Sequence, residues 1–217
     1  MRSKFEVVVA ATGTLLSIAQ LRTAAGLSGT DTSRDTELQD LGKRVAAEIA
    51  IACRVRGDGV AEPTLLAETV RDTFRETGCD TDLFLSRLFA SSISSIVEAG
   101  NTLAATDTYV DGGAGIVRRI SGTRDLRWRR GEIVIEYVAG FTTVPSDLIG
   151  IAMDLCRLRL SADAVDPLER ATTITIPDVE TRRIERWVGA VPGSSAGPLP
   201  DDIMNRLGRY ITPSFAA

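Results

Sequence analysis

From Pro145 to Asp163 the chain offers a long apolar helix with almost no polar face. Asp147, Gly150, Asp154, Arg157 and Ser161 recur at spacings of three and four, which places them on one narrow stripe. Leu148, Ile149, Ile151, Met153, Leu155, Cys156, Leu158 and Leu160 cover most of the remaining circumference. A helix that is apolar nearly all round needs neighbours on several sides, so this stretch predicts a packing centre and not a surface element. Its start is well signalled. Pro145 suits the first turn, where a missing backbone N–H costs nothing, and Asp147 meets the positive helix end. A strand ending near Tyr137 and a turn through Gly140 lead into it.

The 217 residues suffice for one large core or two small ones. A net charge of −4 argues against a sequence-reading DNA binder, whose footprint is normally basic. The chain contains no histidine, which removes the commonest general base, the His-containing triads and most transition-metal sites. Cys53, Cys79 and Cys156 are an odd set without C-x-x-C spacing, and read as reduced thiols of a cytosolic protein used in packing. The uncharged run Val7 to Leu21 is broken by Thr12, Gly13 and Thr14 and is too short and polar to span a bilayer. The expectation is a cytoplasmic chain without membrane contact.

Along the chain, Thr14 can cap a helix from Leu15 to Ala25 that stops at Gly26. Thr32 with Asp35 resembles a capping box before a second helix reaching Arg56, with Leu38, Leu41, Val45, Ile49, Ala52 and Cys53 on one stripe. Gly42 in its middle costs about 1 kcal/mol against Ala, which suggests close helix contact, or tolerance on an exposed face. From Glu68 the period changes to two. Val70–Phe74, Leu83–Phe89, Ile93–Glu98, Tyr109–Asp111, Ile116–Ile120 and Ile133–Val138 read as short strands, with a hairpin turn through Asp111 to Gly115. Thr172–Ile176 is strand-like, Asp178–Val188 helix-like, and Pro192 to Pro198 a linker by composition. A short helix from Pro200 to Tyr210 and an apolar tail close the chain.

No phosphate-binding loop, nucleophile elbow or metalloprotease motif occurs. Gly112, Gly113 and Gly115 bear no lysine and precede a strand, so a turn explains them. Asp35, Glu37 and Asp40, or Asp201 and Asp202, are the carboxylate groups a metal-dependent phosphoesterase would draw on, although helix-end electrostatics accounts for them equally. Arg118, Arg119, Arg124, Arg127, Arg129 and Arg130 crowd one hairpin around Trp128. They could grip a phosphate backbone or a base, or pair with acids of this or a neighbouring subunit. Ile203, Leu207, Tyr210, Ile211, Pro213 and Phe215 form an apolar terminal segment that either docks on its own domain or anchors another protein.

The order of elements resembles the head-to-tail adaptor (connector) proteins of tailed bacteriophages and related gene transfer agents. The resemblance rests on a first helix over Leu15–Leu27, Asp35-x-x-Leu38 opening a second that ends near Cys53, and Leu85-Ser86-Arg87 before Ile93-x-x-Ile96-Val97. Tyr109 to Asp111, Gly115, Trp128 and Gly131 follow, then Tyr137-x-Ala139-Gly140-Phe141-x-x-Val144-Pro145-x-Asp147-Leu148 and an ending from Leu199-Pro200 through Leu207 and Tyr210. Similarity spans nearly the whole chain, through short structural motifs taken in combination.

The resemblance implies a non-enzymatic structural protein without cofactor or bound metal. It would form a ring, typically of twelve copies, beneath the portal at the virion neck, after assembly in the host cytoplasm. It would dock to the portal protein through the C-terminal segment and present its other face to a stopper or tail-completion protein, with double-stranded DNA passing through the lumen. By position this assigns Ile203 to Phe215 to portal docking. A stopper or tail-completion role is the alternative within the same particle. The expected fold is α+β: mainly a helical bundle around one long central helix, with a small antiparallel β insertion and a C-terminal extension. Residues 1–56 would supply the first bundle helices, 57–143 the β region, 144–164 the central helix and 165–217 the linker and docking segment.

Overall fold

Strand alternation, more than helical periodicity, governs this chain. The computed structural model describes residues 2–77, 81–163, 171–176, 180–185 and 199–213. In order these form β1 (Arg2–Val9), α1 (Ile18–Ala24), α2 (Asp35–Ala52), β2 (Glu68–Thr77), β3 (Asp82–Phe84), β4 (Ala90–Glu98) and β5 (Asn101–Thr102). Then come β6 (Thr108–Asp111), β7 (Ile116–Ser121), β8 (Arg124–Leu126), β9 (Gly131–Ala139), α3 (Ser146–Asp163), β10 (Ala171–Ile176), β11 (Glu180–Glu185) and α4 (Asp201–Leu207).

β1, β2, β9, β4 and β5 pair in that order as an antiparallel five-stranded sheet. A second antiparallel sheet is built on β7, with β6 on one side and β3 and β8 in succession on the other. Period-two patterning explains the burial. Val70, Asp72 and Phe74 of β2 lie opposite Tyr137, Ile135 and Ile133 of β9, and all six are buried. Together with Phe5, Leu83, Ile96, Val117 and Trp128 they close one core.

The helices close another. Leu38, Leu41, Val45 and Ile49 of α2 pack with Leu148, Ile151, Ala152, Leu155 and Cys156 of α3, and Leu199, Ile203, Leu207 and Tyr210 from the chain's end complete the cluster. Gly42 lies against Leu21 of α1, where an added Cβ would stand 3.1 Å from Leu21 Cδ1, so the glycine does mark close helix contact.

The expected bundle around one central helix is therefore incorrect. Among the described residues α1, α2 and α3 pack on one another and α4 packs on α3, and nine strands in two antiparallel sheets form a core of comparable weight, not a small insertion. Two physical reasons account for it. α3 packs against α1, α2 and α4 but leaves Leu158 46% exposed, so its apolar circumference is not covered all round. And β1, read from sequence as a broken apolar run, adds an edge strand through the alternation of Phe5 inward with Lys4 outward.

Local boundaries shift as well. Ser17, not Thr14, caps α1, in a capping box with Gln20, while the Thr14 hydroxyl donates to the Leu16 carbonyl. α2 starts at Asp35 without a side-chain cap. The helix expected over 178–188 is instead strand β11 from Glu180 to Glu185, because β10, rich in Thr and Ile, offers a partner in register. Trp187, Val188, the Pro192–Pro198 linker and Cys79 lie outside the described residues.

Candidate functional site

The arginine hairpin is sorted by strand parity. On β7, Arg118 points outward and forks onto Asp82 of β3, with Nε 2.7 Å and Nη2 3.1 Å from the two carboxylate oxygens. That carboxylate holds the Arg118 guanidinium above its ordinary pKa. Arg119, one residue on, turns inward to the buried Glu98, 3.0 Å from Oε2. Glu98 also accepts the Arg129 backbone N–H at 2.6 Å, and the Arg129 side chain stands 3.8 Å from it. Trp128 is buried with its indole N–H donating to the Thr81 carbonyl at 3.0 Å, so its ring is not offered to a base.

Arg124, Arg127 and Arg130 differ from these. All three are exposed and make no ion pair among the described residues. They follow one another from the β7–β8 turn to Gly131, the end of the five-stranded sheet where Thr77 pairs and Arg75 reaches Glu132 at 3.3 Å. The predicted cluster is thus two sets: Arg118 and Arg119 hold the hairpin together, Arg127 and Arg130 with Arg124 face solvent, and Arg129 is shared.

The C-terminal segment docks on its own chain. Ile203, Leu207 and Tyr210 are each at most 2% exposed, inside the helical core. Arg206 donates to Asp154 at 2.8 Å, Arg209 approaches Asp147 at 3.4 Å, and the Thr212 N–H donates to the Cys53 carbonyl at 2.9 Å. Of the two sequence readings, attachment to the chain's own domain is the one seen for these three residues. Ile211 is half-buried and Pro213 exposed, while Phe215 lies outside the described residues.

A buried polar network that sequence reasoning missed joins sheet and loops. Asp72 is fully buried and accepts the Tyr137 hydroxyl at 2.8 Å, the Ser86 N–H at 2.8 Å and the Ser86 hydroxyl at 2.5 Å. Burial nonetheless pushes its carboxyl above the usual range, against those donors. Beside it Arg87 reaches the buried Glu68 and the Thr64 carbonyl, at 2.8 and 2.6 Å. Arg56 and Arg87 both lie about 5.5 Å from the Phe5 ring. The sequence signals were Leu85-Ser86-Arg87 and Tyr137, each read as family-like without a role in such a network.

Nothing in this geometry assembles a reaction centre from the sequence candidates. Asp35 is committed to Arg22 at 2.5 and 2.8 Å and Glu37 to Arg34 at 2.6 Å. Among the described residues no three of Cys, Asp and Glu stand close enough to hold a metal ion. Cys53 and Cys156 are buried, which pushes their thiols to about 12 and about 11, far from thiolate chemistry at neutral pH. A cavity of about 540 Å³ lies between α1, α2 and residues 61–68, where Leu15, Leu16, Leu21 and Leu66 share the lining with Lys43 and Glu62. No helix among the described residues is long and apolar enough to cross a membrane.

No protein-family profile matches the chain, and no curated protein does. Solved structures do. A chain in the neck of an empty gene transfer agent particle, determined with six-fold symmetry, aligns over 98% of this chain and 97% of its own, with a TM-score of 0.57 and 18% identity. A chain in the virion of a native gene transfer agent particle gives the same coverage and TM-score at 17% identity. A chain in the native particle's neck, determined with twelve-fold symmetry, covers the same shares at 0.50 and 15%. At this level of identity the likeness establishes a shared fold: the arrangement of sheets and helices here is one also found in gene transfer agent necks.

Proposed function

We propose that this chain is a structural subunit of the neck of a phage-like or gene transfer agent particle, working by occupying a place in an assembly and not by turning over a substrate. The observation that carries the reading is correspondence over 98% of this chain and 97% of a neck chain. Within that place we favour the adaptor: a closed head-to-tail ring of identical subunits under the portal, of twelve copies by the resemblance, passing DNA through its lumen and meeting a stopper or tail-completion protein on its far side.

The C-terminal segment would then have divided duties. Ile203, Leu207 and Tyr210 anchor its base in the subunit's own core, and Ile211, Pro213 and Phe215 would supply the contact with the portal. Deleting Thr212 to Ala217 leaves α4 seated, so a folded protein unable to bind portal-bearing particles is the expected result. Retained binding by that truncated chain would remove the docking role. Electron microscopy of the purified protein with portal-bearing particles tests the ring, which fails if no density is gained at the portal vertex.

A further inference from the structure

Residues 118–132 carry six arginines against two acids in a chain whose net charge is −4. The acidic surplus therefore lies elsewhere, and this segment is a local positive pole. Within it, Arg118 and Arg119 are already neutralised by Asp82 and Glu98. What remains is Arg124, Arg127 and Arg130, exposed and unpaired among the described residues. Of the apolar members of the same stretch, Trp128 is turned inward, to 1% exposure, and Leu126 is half-buried.

The chemistry of this strip narrows its partner. A protein interface needs apolar or aromatic anchors at its centre, and here the aromatic one, Trp128, is withdrawn into the core and Leu126 is half-buried. A single strand needs rings on which bases stack, and the one indole present is covered. Guanidinium forks without either suit an array of phosphates. The six residue steps from Arg124 on β8 to Arg130 reach at most about 20 Å. That is the rise of about six nucleotides along one strand of a duplex.

We propose that Arg124, Arg127 and Arg130 form a sequence-independent contact strip for the phosphate backbone of double-stranded DNA. This goes beyond the neck reading, since a neck subunit can let DNA pass without touching it, and the two are tested separately. The contact is weak per copy, readily released by salt, and becomes substantial only where copies are arrayed around one duplex.

The test is fluorescence anisotropy of a labelled duplex of arbitrary sequence with the full chain. Three phosphate contacts predict affinity falling about forty-fold between about 50 and about 200 mM salt, from a log–log slope of about −0.9 per contact. The variant R124A/R127A/R130A loses that slope, whereas R34A/R44A/R157A, which removes the same charge from exposed helix and helix-end positions, keeps it. Equal losses in both variants would reduce the effect to overall charge and overturn the strip. Absence of binding by the unaltered chain at about 50 mM salt would overturn it too. So would displacement of the duplex by polyglutamate at equal charge concentration, which would point to an acidic protein surface. None of these outcomes bears on whether the protein joins a neck, which particle binding decides.

Discussion

The hydroxyl of Tyr210 stands 2.8 Å from both carboxylate oxygens of Asp147, so the end of the chain is pinned to the first turn of α3. The ring beneath that hydroxyl is 1% exposed and meets Phe141 edge-on at 5.7 Å and Phe89 at 6.0 Å. Tyr210→Phe removes only the hydrogen bond and should cost about 1 kcal/mol, whereas Tyr210→Ala also opens a cavity and should cost about 3–5 kcal/mol. Urea unfolding with an unchanged m-value would check both.

The same pair makes the tie dependent on pH. Partial desolvation raises the Asp147 carboxyl, but the Tyr210 hydroxyl and then Arg209 outweigh it and hold the folded-state pKa below the ordinary value. A carboxyl depressed on folding contributes stability above its unfolded pKa, near 4, and loses it as pH falls through the folded one. The penalty of Tyr210→Phe should therefore be present at pH 7 and shrink below about pH 4. A penalty that stays constant down to pH 3, measured by denaturation at each pH, would contradict this.

Tyr137→Phe tests the buried network. The phenol hydroxyl donates to Asp72 and accepts the Arg87 N–H at 3.2 Å, with no solvent to replace it. Its loss leaves a buried carboxylate and a buried N–H each short of a partner. A cost of about 2–3 kcal/mol is expected, well above that of a surface Tyr→Phe change. Thermal unfolding compared with Tyr109→Phe, whose side chain is 52% exposed, separates the two effects.

Gly140, between β9 and α3, has φ +97, and a Cβ there would stand 2.4 Å from the Leu66 carbonyl oxygen. Strain and clash act together, so Gly140→Ala should destabilise by more than about 2 kcal/mol. Misdirection of α3 would also show in the near-ultraviolet signal of Tyr210.

Much of this was legible in the residues. The six central strands and α2's buried stripe follow from periodicity, whereas at Gly42 the residue alone left close contact and an exposed face equally open until Leu21 decided it. What failed was weighting. Eight apolar residues on α3 look like a hub until the neighbours are counted, and a sequence does not say that one side of that helix stays open at Leu158. β1 was hidden because an edge strand needs only one buried face, and Phe5 alone supplies most of it. The division of the arginines was unreadable for a similar reason. Arg118 and Arg119 differ from Arg124, Arg127 and Arg130 only through partners on β3 and β4, brought beside them by pairing across dozens of residues. Asp72, Ser86 and Tyr137 are likewise far apart in sequence.

The two cores draw on the chain differently. The β core uses residues from Phe5 to Ala139, while the helical one also needs Leu199 to Tyr210. During synthesis on the ribosome the first can close before Leu199 to Tyr210 have been made. A product cut short before Leu199 would carry a raw apolar side of α3 and invite proteolysis before it could poison an assembly. By drawing part of its interior from Leu199 to Tyr210, the fold makes the arrival of that segment a condition of the helical core's stability.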